Sequence, residues 1–241
     1  MKLSKLNLVF FIVCFSIICS YSAEPAPSSV KATTEEALKL LHWYGQSSFR
    51  FDGPPVIYID PWEIPKEMPK ADIVLITHSH RDHLSPDDVA EIQTENTMIV
   101  APSDCLEKLE GNKKSILPNQ TVKLSGLNIS TVPAYNISAP FHPRNNNWVG
   151  YVIEWKGLKI YHGGDTDAIP EMKDIKPDIA MIPIGGKYTM DMADASKAAK
   201  WFENCVIIPM HYGKVVGTPE DGIKFKNEVG PQVKVMEIET R

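Results

Sequence analysis

Cysteine is scarce in this 241-residue chain. There are four, and two of them, Cys14 and Cys19, fall in an apolar N-terminal stretch. No C-x-x-C pair occurs, which excludes a disulfide framework as the basis of the fold. Cys105 and Cys205 are read as buried structural thiols, the alternative for an exported chain being that they pair. A long basic run is also missing, and the formal net charge is -5. That argues against nucleic acid held through a phosphate-neutralising patch, so no nucleic-acid partner is expected. No apolar run reaches the roughly 20 residues needed to span a bilayer. Leu6 to Ile18 comes nearest, interrupted by Asn7 and Ser16. With Lys2 and Lys5 before it and Ser20, Ser22 and Ala23 after it, residues 1–22 read as a cleaved signal peptide. The expected product is secreted or periplasmic, without stable membrane insertion.

What is present is enough for a sizeable core, with apolar residues at 43%. Residues 23–37, rich in Pro, Ser and Thr, read as a linker, and 38–241 as one folded domain. Ser48 to Phe51 and Val56 to Ile59, split by Gly53-Pro54-Pro55, predict a hairpin. Ala71 to Thr77 is an unbroken apolar run of the kind a buried strand carries. Ser85-Pro86-Asp87-Asp88 then predicts a helix start, with Ser85 as cap, Pro86 in the first turn and two aspartates at the positive end of the dipole. Further strands are expected at 98–101, 127–134, 148–155, 158–162, 179–184, 206–209 and 233–238. Helices are expected at 103–109, 194–202 and 219–229. Two sheets covered by helices fit this order, and a doubly wound sheet is the alternative.

The strongest chemical signal is Thr77-His78-Ser79-His80-Arg81-Asp82-His83. Three of the seven histidines fall within six residues, directly after a buried strand and before a capped helix. Imidazole and carboxylate are good ligands for Zn²⁺. In an extended H-x-H the two rings lie on one side of the chain, so His78 and His80 can share one ion. Asp82 and His83 follow the turn and can face a second.

T-H-x-H-x-D-H after an apolar strand resembles the signature of the metallo-β-lactamase superfamily. Other elements match in order: Tyr58-Ile59-Asp60-Pro61-Trp62, Gly163-Gly164-Asp165-Thr166-Asp167 and Pro209-Met210-His211-Tyr212-Gly213. The resemblance spans about residues 40 to 240 and is nearest to the branch of ascorbate-phosphate lactonases. It implies a four-layer αβ/βα sandwich of two mixed β-sheets flanked by helices. It also implies a dinuclear site of two divalent metal ions, zinc being expected, with Asp165 as the bridging carboxylate and His211 as the last ligand. One ligand departs from the pattern. Where the superfamily places a histidine after the strand ending near Tyr135, this chain has Asn136, and the nearest histidine is His142. His142 is the preferred ligand because imidazole binds zinc far better than a neutral amide. The competing arrangement is a site one histidine short, with Asn136 or water in its place.

The function expected is hydrolysis of an ester, lactone or phosphodiester bond in a small-molecule substrate. Two close cations lower the pKa of a bridging water and so supply hydroxide at neutral pH. Asp82 is the expected catalytic residue as well as a metal ligand. Tyr188, in a loop between a strand and a helix, is a candidate substrate contact. His42 reads as structural or exposed, His162 as a support for a ligand or a core histidine, and Asp167 as a turn or cap residue. Two other functions compete: a metal-binding protein without catalysis, and a di-iron redox protein. The second needs a carboxylate where this chain has His80.

Overall fold

The computed structural model describes residues 32–240. The expected signal peptide, 1–22, and the first part of the expected linker lie outside the described residues. In chain order the elements are α1 (Thr34–Lys39), β1 (Leu41–Trp43), β2 (Phe49–Phe51), β3 (Ile57–Ile59), β4 (Ile73–Leu75), α2 (Pro86–Ile92), β5 (Met98–Ala101), α3 (Ser103–Leu106), β6 (Asn112–Ser115), β7 (Thr121–Leu124), β8 (Leu127–Pro133), β9 (Val149–Trp155), β10 (Leu158–His162), β11 (Ile179–Pro183), α4 (Met192–Ala199), β12 (Val206–Met210) and α5 (Asp221–Val229).

They build the four-layer sandwich. One six-stranded sheet runs β1-β2-β3-β4-β5-β6 and the other β12-β11-β10-β9-β8-β7. Both sheets are mixed. β3 to β6 are parallel and β1 to β3 antiparallel; β10 to β12 are parallel and β7 to β10 antiparallel. Strand periodicity assigns each side chain to a layer. In β4, Ile73 and Leu75 join the large core that also takes in the second sheet. Their neighbours Val74 and Ile76 face the other way and pack with Val89 and Ile92 of α2 and Cys105 of α3. An all-apolar strand is what a sheet covered on both faces requires.

The sheets are also tied through polar atoms close to the C-terminal end of β4. The hydroxyl of Tyr151, on β9, donates to the carbonyls of Ile76 (2.8 Å) and Val100 (3.0 Å). The Val149 amide donates to the Thr77 carbonyl at 3.1 Å.

The structure corrects several readings. The stretch taken as linker to residue 37 already contains most of α1. Thr33 and Glu36 form a reciprocal capping box there, and Ala37 is buried in the core. The last predicted strand is absent. Val233 makes one parallel bridge to Ile207, after which the Glu239 amide donates to the Trp43 carbonyl. The apolar run at 233–238 packs on the core without joining a sheet ladder. β6 and β7 went unpredicted, β6 because its residues are exposed and polar, and β7 because it is short and only Val122 and Leu124 turn to the core. Cys105 and Cys205 are both buried and unpaired. Burial pushes both thiols up, that of Cys205 to about 12.

Candidate metal centre

The chain directions put six chemically loaded loops at one end of the sandwich. β3 ends at Asp60, β4 leads into 77–83, β8 into 134–142, β10 into 163–165, β11 into 185–188 and β12 into His211. The register makes all these C-terminal ends neighbours, the position where α/β sheets place their sites. Gly164 permits the close approach between sheets. Its φ is +61°, and a Cβ there would lie 3.1 Å from both Thr77 Cβ and the Val149 carbonyl.

Three trios of ligand-type side chains result, of which one, His78, His83 and Asp165, links the other two. The first is His78, His80 and His142. His78 Nε2 lies 3.1 Å from His80 Nδ1 and 3.4 Å from His142 Nε2. Oxygen acceptors fix the tautomers of two of these rings. Thr77 Oγ1 donates to Asp60 Oδ2 at 2.6 Å, which turns its lone pair toward His78 Nδ1 at 2.9 Å. His142 Nδ1 faces two oxygens, Asn136 Oδ1 at 3.0 Å and the Tyr188 carbonyl at 3.1 Å. Both rings therefore carry their proton on Nδ1 and present an Nε2 lone pair to the centre. Asn136 and His142 thus have different places: the imidazole is in the cluster and the amide stands behind it.

The second trio is Asp82, His83 and His211. His83 Nδ1 donates to Asp60 Oδ2 at 2.8 Å, again leaving Nε2 free. Asp60, fully buried, also accepts from the Thr77 amide at 2.7 Å. One carboxylate therefore orients a ring in each trio, directly for His83 and through Thr77 for His78. Asp165 lies between the trios. Its Oδ2 is 3.3 Å from His142 Nε2 and 3.0 Å from His211 Nε2, and its Oδ1 is 3.2 Å from His83 Nε2.

Charge follows from this packing. Burial and the neighbouring His83 ring hold His78 well below the ordinary imidazole range, and burial with His142 lowers His80. Burial also disfavours the charged form of His83, but Asp165 and Asp60 outweigh it and hold that ring well above the ordinary value. Burial pushes Asp165 up, and His211 and His83 more than offset it. Buried His83 Nε2 and Asp165 Oδ1 make no hydrogen bond. A positive charge between them would satisfy both, and a set of imidazoles and carboxylates suits a divalent cation.

Residues 40–211 match the model of the beta-lactamase superfamily domain. The chain belongs to the metallo-β-lactamase superfamily, with the UPF0173 metal-dependent hydrolases. It is 35% identical over 214 residues to the UPF0173 metal-dependent hydrolase of Thermoplasma volcanium, covering 82% of this chain and 95% of the relative. Among solved structures it is similar to a Parabacteroides distasonis protein assigned to the metal-dependent hydrolases, at 34% identity and TM-score 0.71, covering 83% and 93% of the two chains. Igni18, a metallo hydrolase of Ignicoccus hospitalis, follows at 28% identity and TM-score 0.68, covering 83% and 95%.

In this metallo-β-lactamase fold the centre opens into a cavity of about 270 Å³ lined by His80, Asp82, Phe141, His142, Asp165, Tyr188, His211 and Val215. Tyr188 is thus at the cavity wall, its ring edge-on to Phe141 at 4.8 Å. His162 is a buried brace: Nε2 bonds the Ser47 carbonyl at 2.9 Å, and Nδ1 accepts from the Gly164 amide at 3.2 Å. Asp167 pins the 136–142 loop by accepting from Asn136 Nδ2 (2.9 Å) and the Ile137 amide (2.7 Å). His42 lies away from the centre, between Asp52 and Glu239.

Sequence reasoning passed over two neighbours of the site. Trp148 packs against His78, His80 and His142 at ring separations of 5.0, 4.9 and 5.5 Å. Gln46 touches both Asp82 and His211. Neither carries a motif signal. Trp148 reads as a strand residue, and Gln46 sits in a Gly-Gln-Ser-Ser turn remote in sequence from its partners.

Proposed function

We propose that the chain is a dinuclear metal-dependent hydrolase acting on a compact small molecule. The observation that carries this is Asp165, a buried carboxylate between two trios of ligand-type side chains, with one oxygen lacking any hydrogen bond. His78, His80 and His142 would hold one ion, Asp82, His83 and His211 the other, and Asp165 would bridge them. Zinc fits these nitrogen and oxygen donors. Bound there, two divalent cations supply Lewis acidity and lower the pKa of water enough for hydrolysis at neutral pH.

The chain's own residues do the positioning. Asp60, Thr77 and Asn136 orient the His83, His78 and His142 rings, so that each of the three turns Nε2 to the centre. Asp82 is more exposed than the other carboxylate, at 21% against 3% for Asp165, and lies at the cavity wall. It is placed to accept a hydrogen bond from the attacking water. Phe141, Tyr188 and Val215 offer an apolar wall, and the lining carries neither lysine nor arginine. Phosphate recognition generally recruits such cations, so ester and lactone bonds are favoured over a phosphodiester.

The test is elemental analysis of the purified protein alongside turnover of a generic ester, a lactone and a phosphodiester. Two ions per chain with ester or lactone turnover supports the proposal. Two ions with no turnover of any of the three would make this a metal-binding protein without catalysis, and an absence of bound ions would overturn the assignment of the centre.

A further inference from the structure

Gln46 is a buried polar side chain that the hydrolytic scheme does not use. It is 0% exposed, and its φ is +49°, the left-handed region that non-glycine residues seldom enter. The partner it grips, His211, is left-handed too, at +59°. Such backbone persists only where the surroundings fix it, and it gathers at functional sites. Here the two residues fix each other. The His211 amide donates to the Gln46 carbonyl at 2.9 Å, which also accepts from Trp43 Nε1 at 3.1 Å. The Gln46 side chain then returns to the same histidine, its Nε2 lying 2.8 Å from His211 Nε2 and 2.8 Å from Asp82 Oδ2.

The amide can face only one way. Turned over, it would set an oxygen 2.8 Å from a carboxylate oxygen, so the NH₂ group points at Asp82 and His211. That leaves Gln46 Oε1 buried without a partner. His211 Nε2 is then asked for two incompatible things. The Gln46 amide needs it as an acceptor, and Asp165 Oδ2 at 3.0 Å needs it as a donor. A cation held by Asp82, His83 and His211 would take the lone pair and leave Gln46 bonded to Asp82.

We propose that Gln46 is the positioning residue of the second metal position, its side-chain amide holding the Asp82 carboxylate and its carbonyl the His211 backbone where that ion needs them. The first trio owes it nothing, since His78 is braced by Thr77, His142 by Asn136 and the Tyr188 carbonyl, and Gln46 touches none of the three. The inference rests on the dinuclear reading above, and its effect on the two ions is unequal.

Calorimetric titration of Zn²⁺ into the metal-free full chain reads both ions without any substrate. Gln46→Asn is the main variant. Asparagine tolerates the left-handed backbone and keeps the amide, but is one methylene too short to reach. It should bind the first ion as wild type does and the second about 10- to 100-fold more weakly, the range seen when a supporting partner of a metal ligand is lost. Gln46→Ala should do the same, and Gln46→His, which restores an N–H of similar reach, should recover the second ion. Two ions at wild-type affinity in both shortened variants would overturn the proposal, as would equal weakening of both ions. Should wild type itself bind fewer than two ions, the dinuclear reading fails, and that outcome is distinct from a failure at Gln46. Unchanged thermal unfolding of the metal-free variants separates positioning from loss of fold.

Discussion

The two halves of the centre are built differently. In the His78, His80 and His142 half all three ligand-type groups are imidazoles, and two braces are near at hand, Thr77 beside His78 and Asn136 on the loop of His142, with the Tyr188 carbonyl reaching His142 from the loop after β11. In the Asp82, His83 and His211 half one group is a carboxylate, and the braces come from afar. Asp60 reaches His83 from another strand, and Gln46 reaches Asp82 and His211 from the turn after β1. Two left-handed non-glycine residues, Gln46 and His211, belong to this second half, and a third, Asp60, orients a ring in each half. Both halves need the two sheets to meet, since His142 follows β8 and His211 follows β12 while the other members follow β4. The second half needs the turn after β1 as well, and it stores more of the backbone strain.

Substitutions can break this comparison at different points. The largest effect is expected at Asp165, which faces both halves. Asp165→Asn keeps the shape and removes the charge that offsets two cations, so elemental analysis should show fewer than two ions per chain and turnover should collapse. If Asp165 only shaped the turn, the asparagine would bind two ions normally, since it also serves in turns. Asp82→Ala should break one half only. One ion per chain should remain, the fold should persist, and turnover should fall by about 100-fold or more; unchanged turnover with two ions would show that Asp82 has been misassigned.

A smaller effect is expected at Asn136. Asn136→Ala removes one of two acceptors for His142 Nδ1 and leaves the Tyr188 carbonyl. The first ion should weaken by about tenfold in a zinc titration, with the second unchanged. This is the mirror image of the Gln46 experiment, and together the two give independent handles on the halves. The smallest effect is expected at Tyr151, which ties the sheets without touching either trio. Tyr151→Phe should cost about 1–2 kcal/mol in urea unfolding, from loss of the one hydroxyl proton that two buried carbonyls share, with metal content unaltered. Loss of an ion in that variant would mean that the seam between the sheets, and not only the loops, sets the site.

The cluster 77–83 was legible because three imidazoles and a carboxylate sit within one loop after an apolar strand, and strand periodicity needs no tertiary information. The same holds for the Ser85 cap, whose oxygen accepts from the Asp88 amide as the local pattern predicts. The exposed strand β6 was illegible because nothing in its side chains reports a buried face, and β7 because its alternation of Thr121 and Lys123 with inward Val122 and Leu124 is only four residues long. The run at 233–238 misled for the opposite reason, being apolar through packing on the core and not through membership of a sheet.

By itself, then, the sequence determined the layered α/β class, the family signature and the ligand-type cluster from His78 to His83, because periodicity, caps and motif spacing are properties of neighbouring residues. Only the tertiary structure decided that His142 reaches the cluster with Asn136 behind it, that Asp60 orients a ring in each trio, and that Gln46 meets Asp82 and His211. Those contacts span 23 residues between Asp60 and His83 and 165 between Gln46 and His211. No local pattern encodes them. They follow from the parallel strands of two sheets ending side by side and from the polar atoms that must then find partners away from water.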